Sequence, residues 1–424
     1  MATLPKETVM NQTTIRKILK DTDFIHTSGT AEELKVAEFI KGLCEKAGMK
    51  AYLESFPVEM ATIRKDSLKV FMNEADPGKE VPCKGFLLSG SGTVKAPLYY
   101  MPAQDPASIA KAKGKIVMID GGMRHFIYQD LVKAGAVGFI TYYGNVNFRD
   151  NDIDQTELRG FVRADAEKIL GVNVNAKTAY EIVKSGAAFA EITIEQDEWM
   201  GESHNVIAEI PGQTDEWIVL SAHYDTVSLS RGSYDNMSGC IGVLYTLEEM
   251  LKGAPHRYGI KAVFCGSEER GLLGSKAYTN DHEAELEKVV LNINLDMIGS
   301  VMGKFISRVS AEEALATYIR YFGDEMGFPV EAKIGVYSSD STPFADHGVP
   351  ALSFARMAPP SQSSIHGRYD TIKLLSMERI ADDSAFIAAF TRRMADSAFC
   401  PVRREMPEKV KNDLDVYLNR KRPE

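Results

Sequence analysis

Between residues 203 and about 400, short apolar segments alternate with segments of helical periodicity, and this alternation most constrains how the chain folds. The segment WIVLSAHYDT begins as an apolar run, which is typical of a strand buried on both faces. The segment MSGCIGVLYTLEEMLKG that follows repeats apolar residues at helical spacing. We therefore predict an α/β unit in which helices flank a mixed, mostly parallel sheet.

The predicted strands of this unit end in polar side chains. His223 and Asp225 lie two residues apart at the end of WIVLSAHYDT, and therefore on one face of the strand. Further candidates follow the next strands or occupy the loops between them, namely Asp235, Glu268, Glu269, Asp296 and His366. Because open α/β sheets bind ligands at the carboxyl ends of their strands, we expect these side chains to meet at one edge of the sheet.

Such a group of carboxylates predicts a metal site, because clustered negative charges need a compensating cation. Taken singly, a histidine at a strand end or an adjacent pair of glutamates is usually structural, so the prediction rests on their joint occurrence. Two histidines and several carboxylates without a nearby cysteine fit Zn²⁺. A single zinc uses three protein ligands and a water, and the larger set here favours two ions that share a carboxylate. Cobalt and manganese stay open as alternatives.

Five segments occur in the order AHYDT, YDNMSG, SEERGLLGS, LNINLDMIG and HGRYDT. Together they resemble the co-catalytic dizinc exopeptidases, a family that includes bacterial leucyl aminopeptidases, aminopeptidase Y and the glutamate carboxypeptidase II group. The resemblance covers roughly residues 200–400 and implies the zinc-exopeptidase fold, which is phosphorylase/hydrolase-like.

The resemblance also implies a role for each site residue. His223 and Asp296 would hold one zinc ion, Glu269 and His366 the other, and Asp235 would bridge both. Asp225 would orient His223 from behind, and Glu268 would act as the general base. The peptide bond between Asp235 and Asn236 would be cis.

One position departs from the family pattern. Many relatives have a tyrosine directly before the last histidine, where it helps to stabilise the oxyanion, and this chain has Ile365 there. Tyr337 and Tyr369 are candidate substitutes, and an oxyanion site made by metal alone is equally open. Arg356 precedes His366 in a loop and could bind a substrate carboxylate, although the role of an exposed structural arginine is favoured.

We predict four segments along the chain. Residues 1–80 form an N-terminal helical and strand segment that packs on the catalytic domain. Residues 81–197 resemble a β-rich protease-associated domain through GKIVMIDGG and KAGAVGFITYYG. Residues 198–400 form the dizinc peptidase domain, and residues 401–424 form a charged helix or tail.

The predicted function is that of a metallo-aminopeptidase, which removes N-terminal residues from peptides with water activated by two zinc ions. Two alternatives are a carboxypeptidase of the same fold and a receptor-like binding protein that has lost its metals. Glutaminyl-cyclase-like transfer, which typically uses one zinc, is disfavoured by the larger ligand set.

Composition limits the partners and the compartment. A net charge of −10 argues against nucleic-acid binding, and no run of 18 apolar residues predicts a membrane span. Five scattered cysteines favour free thiols in a reducing compartment, so we expect a cytoplasmic protein. The sequence leaves the oligomeric state open, including a homodimer.

Overall fold

The chain folds as two units in the computed structural model. The structure describes residues 10–147, 152–363 and 365–423. The predicted segments also include positions that lie outside the described residues, namely 1–9, 148–151, 364 and 424. Met1–Pro57 and Glu202–Glu424 form one unit, called here the main unit, and Val58–Gly201 form the other, called the inserted unit. Among the described residues, no helix is both long enough and apolar enough to cross a membrane.

Strands contribute to both units. In chain order they are β1 (Lys50–Phe71), β2 (Lys79–Val81), β3 (Lys84–Gly85), β4 (Gly92–Tyr100), β5 (Ile116–Asp120), β6 (Gly138–Tyr143), β7 (Leu170–Asn175), β8 (Phe189–Ile210), β9 (Trp217–His223), β10 (Gly259–Cys265), β11 (Val289–Leu295), β12 (Lys304–Ser310), β13 (Glu331–Ile334) and β14 (Ala351–Met357).

The helices follow the same numbering. They are α1 (Gln12–Asp21), α2 (Ala31–Lys46), α3 (Pro106–Ile109), α4 (His125–Lys133), α5 (Gly160–Arg163), α6 (Ala176–Ser185), α7 (Ser238–Met250), α8 (Leu273–Asp281), α9 (Glu313–Met326), α10 (Ser341–Asp346), α11 (Met377–Ala395) and α12 (Glu408–Tyr417).

The main unit is built on a mixed sheet with the strand order β13-β12-β14-β11-β9-β10-β8. Strands β14, β11, β9 and β10 are parallel neighbours, whereas β12 runs antiparallel to β14 and β8 runs antiparallel to β10. The prediction of a mostly parallel sheet flanked by helices is therefore confirmed for this unit.

Both faces of this sheet are buried. Neighbouring residues of β9 belong to different apolar clusters, because successive side chains of a strand point to opposite faces. Leu220 packs in a cluster that includes Ile241 of α7 and Ile387 of α11. Val219 packs in another that includes Phe344 of α10 and Leu414 of α12. The charged segment at the C-terminal end is thus a helix that buries two apolar side chains, Val410 and Leu414.

The inserted unit has its own parallel core. Strands β4, β5, β6 and β7 are parallel neighbours, and β3 pairs antiparallel with β7. Helices α3, α4 and α5 lie between consecutive strands of this sheet, and α6 follows β7. The unit therefore contains helices as well as the predicted strands. Its resemblance to a protease-associated domain stays a prediction.

The unit boundaries differ from the predicted ones. Prediction put them at residues 80/81 and 197/198, whereas the units meet at 57/58 and 201/202. Strands β1 and β8 each continue from one unit into the other. A change in composition along the chain therefore does not mark the boundary, because each boundary falls inside a continuous strand.

A buried ion pair joins three elements of the main unit. The Nε atom of Arg356, on β14, donates to Asp383 Oδ2 on α11 at 2.9 Å, and Nη1 donates to the carbonyl of Gly303 at 3.1 Å. Asp383 also accepts from the backbone N–H of Gly299 at 2.9 Å. Both side chains are buried. The pair therefore ties β14 and α11 to the loop that follows β11.

Replacing Arg356 with alanine should lower the free energy of unfolding by about 3–5 kcal/mol, because it leaves the Asp383 carboxylate buried without its cation. Urea denaturation measures this loss. The matched control is Lys17→Ala, which breaks the exposed Lys17–Asp21 pair and should cost less than about 1 kcal/mol. Equal losses in the two variants would contradict a structural role for the buried pair.

Candidate metal centre

The candidate site residues come together at the carboxyl edge of the main sheet. His223 ends β9 and lies in register with Cys265, the last residue of parallel β10. The short 3-10 turn Glu268–Arg270 follows β10, and Asp296 follows β11 directly. Parallel strands that end side by side therefore bring a histidine and several carboxylates to one place.

Asp235 lies between two histidines. It occupies the turn Ser233–Met237, which leads into α7. Its Oδ1 atom is 3.1 Å from His223 Nε2, and its Oδ2 atom is 3.2 Å from His366 Nε2. The two oxygens of one carboxylate thus face different imidazoles.

Two groups of metal-ligand atoms share this aspartate. In each group the ligand atoms all lie within 4.8 Å of one another, and the groups are His223, Asp235 and Asp296 on one side and Asp235, Glu269 and His366 on the other. His223 Nε2 is 3.9 Å from Asp296 Oδ1, and His366 Nε2 is 3.2 Å from Glu269 Oε2. The grouping matches the ligand sets that the family resemblance implies.

The donors fit zinc in chemistry and in spacing. Nitrogen and oxygen ligands about 2.0–2.1 Å from a tetrahedral zinc ion lie about 3.3 Å apart, close to the distances between these atoms. Two buried carboxylate oxygens, Asp296 Oδ1 and Glu269 Oε1, have no hydrogen-bond partner. Because an unpaired buried carboxylate oxygen is costly, these atoms point to a cation that they would bind.

Burial and the close spacing of the carboxylates shift the pKa values of the site residues. Burial raises the pKa of Asp296 to about 7, and the nearby Asp235 carboxylate adds to this rise. Burial also raises the pKa of Glu268 well above its ordinary value, with a contribution from Glu269. Partial burial lowers the pKa of His366, but hydrogen bonds with the carboxylates of Asp235 and Glu269 raise it to about 11. The carboxylates therefore favour positive charge at their centre.

The Asp225 carboxylate contacts both His223 and the turn that carries Glu268 and Glu269. Its Oδ1 atom is 3.5 Å from His223 Nδ1, on the ring edge opposite the atom that faces Asp235. The same carboxylate accepts the backbone N–H groups of Glu268 at 2.8 Å and Glu269 at 3.1 Å. One buried carboxylate thus lies beside the imidazole and binds the backbone of the glutamate turn.

Two supporting residues were not predicted from the sequence. Asp370 accepts the backbone N–H groups of Tyr234 at 2.8 Å and Asp235 at 3.1 Å, so it fixes the turn that carries the shared aspartate. Asn236 donates to the carbonyl of Leu295 at 2.9 Å and accepts from the N–H of Met297 at 3.0 Å. Asp370 lies four residues after His366 in HGRYDT, and that proximity was the available signal.

The cis peptide bond and the two candidate tyrosines named in the sequence analysis can be compared with the structure. The peptide bond between Asp235 and Asn236 is cis, as the resemblance implies. Burial raises the pKa of Tyr337 well above its ordinary value, and the charges of Asp296 and Asp235 add to the rise, so its hydroxyl lies within their electrostatic reach. Tyr369 is 54% exposed. Tyr337 is thus the more buried of the two candidate tyrosines.

Arg356 is not available to a substrate carboxylate. Its guanidinium is bound to Asp383 and to the carbonyl of Gly303, and it lies over the ring of Phe305. The structural role that sequence analysis favoured is thus the one observed, although the side chain is buried rather than exposed.

Zinc binding should release protons. His366 holds a proton at neutral pH when its pKa is about 11, and an imidazole must lose that proton to bind a metal. Zinc affinity should therefore rise as the pH increases through the neutral range. Calorimetric zinc titrations in buffers of different ionisation enthalpy count the protons.

The variant His366→Ala should bind less zinc and release fewer protons. The control is His347→Ala, since the Nδ1 atom of His347 contacts the carbonyl of Pro343. Unchanged zinc content and proton release in His366→Ala would remove His366 from the ligand set.

Comparison with known sequences identifies the family of this region. Residues 205–391 match peptidase family M28. Leucine aminopeptidase 1 of Aspergillus clavatus is 27% identical over 245 residues, which cover 51% of this chain and 62% of that protein. Aminopeptidase YwaD of Bacillus subtilis is 31% identical over 182 residues, which cover 41% of this chain and 40% of that protein. The matched regions thus span less than two thirds of either relative.

Solved structures support the same fold over more of the chain. A zinc aminopeptidase from Bacillus subtilis has a TM-score of 0.75 at 22% identity and covers 96% of this chain and all (100%) of that chain. An aminopeptidase from Aneurinibacillus sp. strain AM-1 has a TM-score of 0.73 at 21% identity and covers 93% of this chain and 96% of that chain. At this identity the likeness establishes the fold alone. Residues 205–391 of the chain thus match peptidase family M28, and the chain has the fold of these two aminopeptidase structures.

Proposed function

We propose that the chain is a zinc-dependent aminopeptidase whose site holds two zinc ions. The observation that carries the proposal is the position of Asp235, which presents one carboxylate oxygen to His223 and the other to His366. A carboxylate with its two oxygens directed at separate ligand groups is suited to be a shared ligand in a two-metal site.

The similar proteins support the hypothesis of an aminopeptidase function. Both curated relatives are named as aminopeptidases, and one of the structural neighbours is described as a zinc aminopeptidase. Those activities belong to those proteins. Their transfer to this chain rests on the match to family M28 and on the presence here of ligand-type side chains at all five predicted ligand positions.

Metal ions bound by the two groups would polarise the scissile carbonyl and supply a nucleophilic water at neutral pH. His223, Asp235 and Asp296 would hold one ion, and Glu269 and His366 would hold the other together with Asp235. Asp225 would keep the ring of His223 in one orientation through its contact at Nδ1, which leaves Nε2 directed at the site.

Glu268 is the proposed general base. Its Oε2 atom lies 3.9 Å from His223 Nε2, so the carboxyl group borders the ligands. Glu268 Oε2 would take a proton from the attacking water and then deliver it to the nitrogen of the leaving amine, which balances the addition of water across the peptide bond. Burial, which raises the pKa of this group, brings it closer to the pH at which it must exchange protons.

The charge of the site favours an amino terminus over a carboxylate terminus. Carboxylates dominate the site, and a free α-amine is cationic near neutral pH. Arg356, the cation considered for a terminal carboxylate, is already paired with Asp383. This pairing weakens the carboxypeptidase alternative. The receptor-like alternative is disfavoured because the five ligand positions and the base position carry functional side chains.

The proposed function is tested with three forms of one dipeptide, one free, one blocked as the C-terminal amide and one blocked by N-acetylation, each assayed after chelation and after zinc is restored. An aminopeptidase should cleave the free dipeptide and its C-terminal amide, and should leave the N-acetyl form intact. Activity should vanish with chelator and return with zinc. Cleavage of the N-acetyl form but not of the amide would indicate a carboxypeptidase, and zinc binding without any hydrolysis would indicate a binding protein.

Replacing Glu268 with glutamine should keep the bound zinc but lower kcat by about 10²-fold or more, because glutamine cannot accept the proton. Zinc content and steady-state rates are measured on the same sample. Glu283→Gln, which alters an exposed glutamate of the main unit, serves as the control and should leave both unchanged. A Glu268→Gln rate near that of the wild type would contradict the assignment of the base.

The cytoplasmic location, the homodimer and the protease-associated character of the inserted unit stay predictions. Every residue assigned to the site lies within Glu202–Glu424. Cobalt or manganese would use the same nitrogen and oxygen ligands.

A further inference from the structure

Helix α2 begins with a sequence that usually has a purely local role. Thr30 is its N-cap and accepts the backbone N–H of Glu33 at 3.2 Å. The spacing Thr-x-x-Glu is that of a capping box, in which the glutamate bonds back to the N–H of the cap residue. Here the N–H of Thr30 bonds instead to the carbonyl of Thr27 at 3.3 Å. The Glu33 carboxylate is therefore used elsewhere.

The Glu33 side chain points into the main unit and is buried. Its Oε2 atom accepts the N–H of Gly29 at 2.6 Å. Its Oε1 atom accepts the hydroxyl of Ser203 at 2.9 Å and the backbone N–H of Ser267 at 3.1 Å. Glu33 thus reaches from the N-terminal segment to the residue directly before Glu268.

The turn at residues 267–269 is held by two carboxylates. Glu33 binds the N–H of Ser267, and Asp225 binds the N–H groups of Glu268 and Glu269. Three consecutive backbone N–H groups therefore donate hydrogen bonds to two buried carboxylates. Asp225 also faces His223, whereas Glu33 makes no contact with a candidate metal ligand among those described.

The backbone of this turn needs such support. Ser267 has a φ of 56°, in the left-handed region that residues other than glycine rarely adopt. The preceding Gly266 packs so closely that a Cβ atom there would lie 2.6 Å from Ser203 Oγ and 3.0 Å from Glu33 Oε1. The hydroxyl of Ser28 also contacts that of Ser267. Two residues of the N-terminal segment, Ser28 and Glu33, thus contact Ser267.

We propose that Glu33 is a positioning residue for the peptidase reaction, which fixes the turn that carries Glu268 and Glu269 by binding the N–H of Ser267. This inference rests on the proposed function, because it assigns Glu268 and Glu269 the roles of base and metal ligand. It extends the functional unit beyond residues 205–391, the part that matches the family, into the N-terminal segment.

Two substitutions separate the hydrogen bond from the space that the side chain fills. Glu33→Gln keeps an oxygen that can accept the N–H of Ser267, and it is uncharged. The amide nitrogen of this glutamine cannot accept the N–H of Gly29, so the variant loses that bond while it keeps the bond to Ser267. Glu33→Met has similar length and no comparable acceptor.

A third substitution controls for the stability of the helix. Thr30→Ala removes the N-cap of the same helix without touching Ser267, so it should lower Tm and leave the turn intact. If Glu33→Met does not fold, Glu33→Asp replaces it, since its shorter side chain keeps a carboxylate but cannot span the distance to Ser267.

In zinc-loaded enzyme, Glu33→Met should lower kcat by about tenfold to a hundredfold with KM close to that of the wild type, because a displaced base slows the chemical step. Glu33→Gln, which keeps the acceptor for the N–H of Ser267, should lose less of kcat than Glu33→Met. Hydrogen exchange of a peptide spanning residues 266–270 should be faster in Glu33→Met, and unchanged in Glu33→Gln and Thr30→Ala.

Equal kcat values for Glu33→Met and Thr30→Ala, with no difference in exchange at residues 266–270, would overturn the proposal. So would an equal loss of kcat in Glu33→Gln and Glu33→Met. If the wild type cleaved no peptide, the proposed function would fail, and the exchange measurement would still decide whether Glu33 fixes the turn.

Discussion

Asp235 presents one carboxylate oxygen to each of two histidines, and the rest of the site is arranged around this contact. A buried carboxylate next to other carboxylates is unfavourable unless positive charge lies among them. His366 supplies part of that charge when it is protonated, and metal ions would supply more. The protein therefore maintains a concentration of negative charge at one edge of the sheet that is suited to binding cations.

Hydrogen bonds to the neighbouring backbone hold this group of carboxylates in place. Asp370 fixes the backbone of the shared aspartate, and Asp225 fixes the glutamate turn beside His223. Asn236 links the same aspartate turn to the loop after β11 through Leu295. Most of these contacts use backbone N–H groups as donors, so they position the ligand side chains without occupying the oxygens that face the centre. If Glu33 acts as proposed, the support extends to the N-terminal segment.

The sequence was sufficient to predict the parts of the structure that depend on local pattern. Strands β9, β10 and β11 are apolar runs that end in polar residues, and their parallel arrangement brings His223, Glu269 and Asp296 together. Pattern alone did not reveal β13, which has four residues and is partly exposed, and it also missed β12, although that strand has seven residues and is largely buried. It also could not reveal the role of Asp370, because that role depends on a backbone contact 135 residues away. The sequence also did not reveal the role of Glu33, because the Thr-x-x-Glu spacing from Thr30 is that of a helix-capping motif.

The central claim is that Asp235 is shared by two metal ions. Diffraction data collected on both sides of the zinc absorption edge, from crystals of zinc-loaded protein, test this claim directly. The account predicts two anomalous peaks, one next to His223 and Asp296 and the other next to Glu269 and His366, each beside a different oxygen of Asp235. A single peak, or two peaks of which one does not adjoin Asp235, would contradict it.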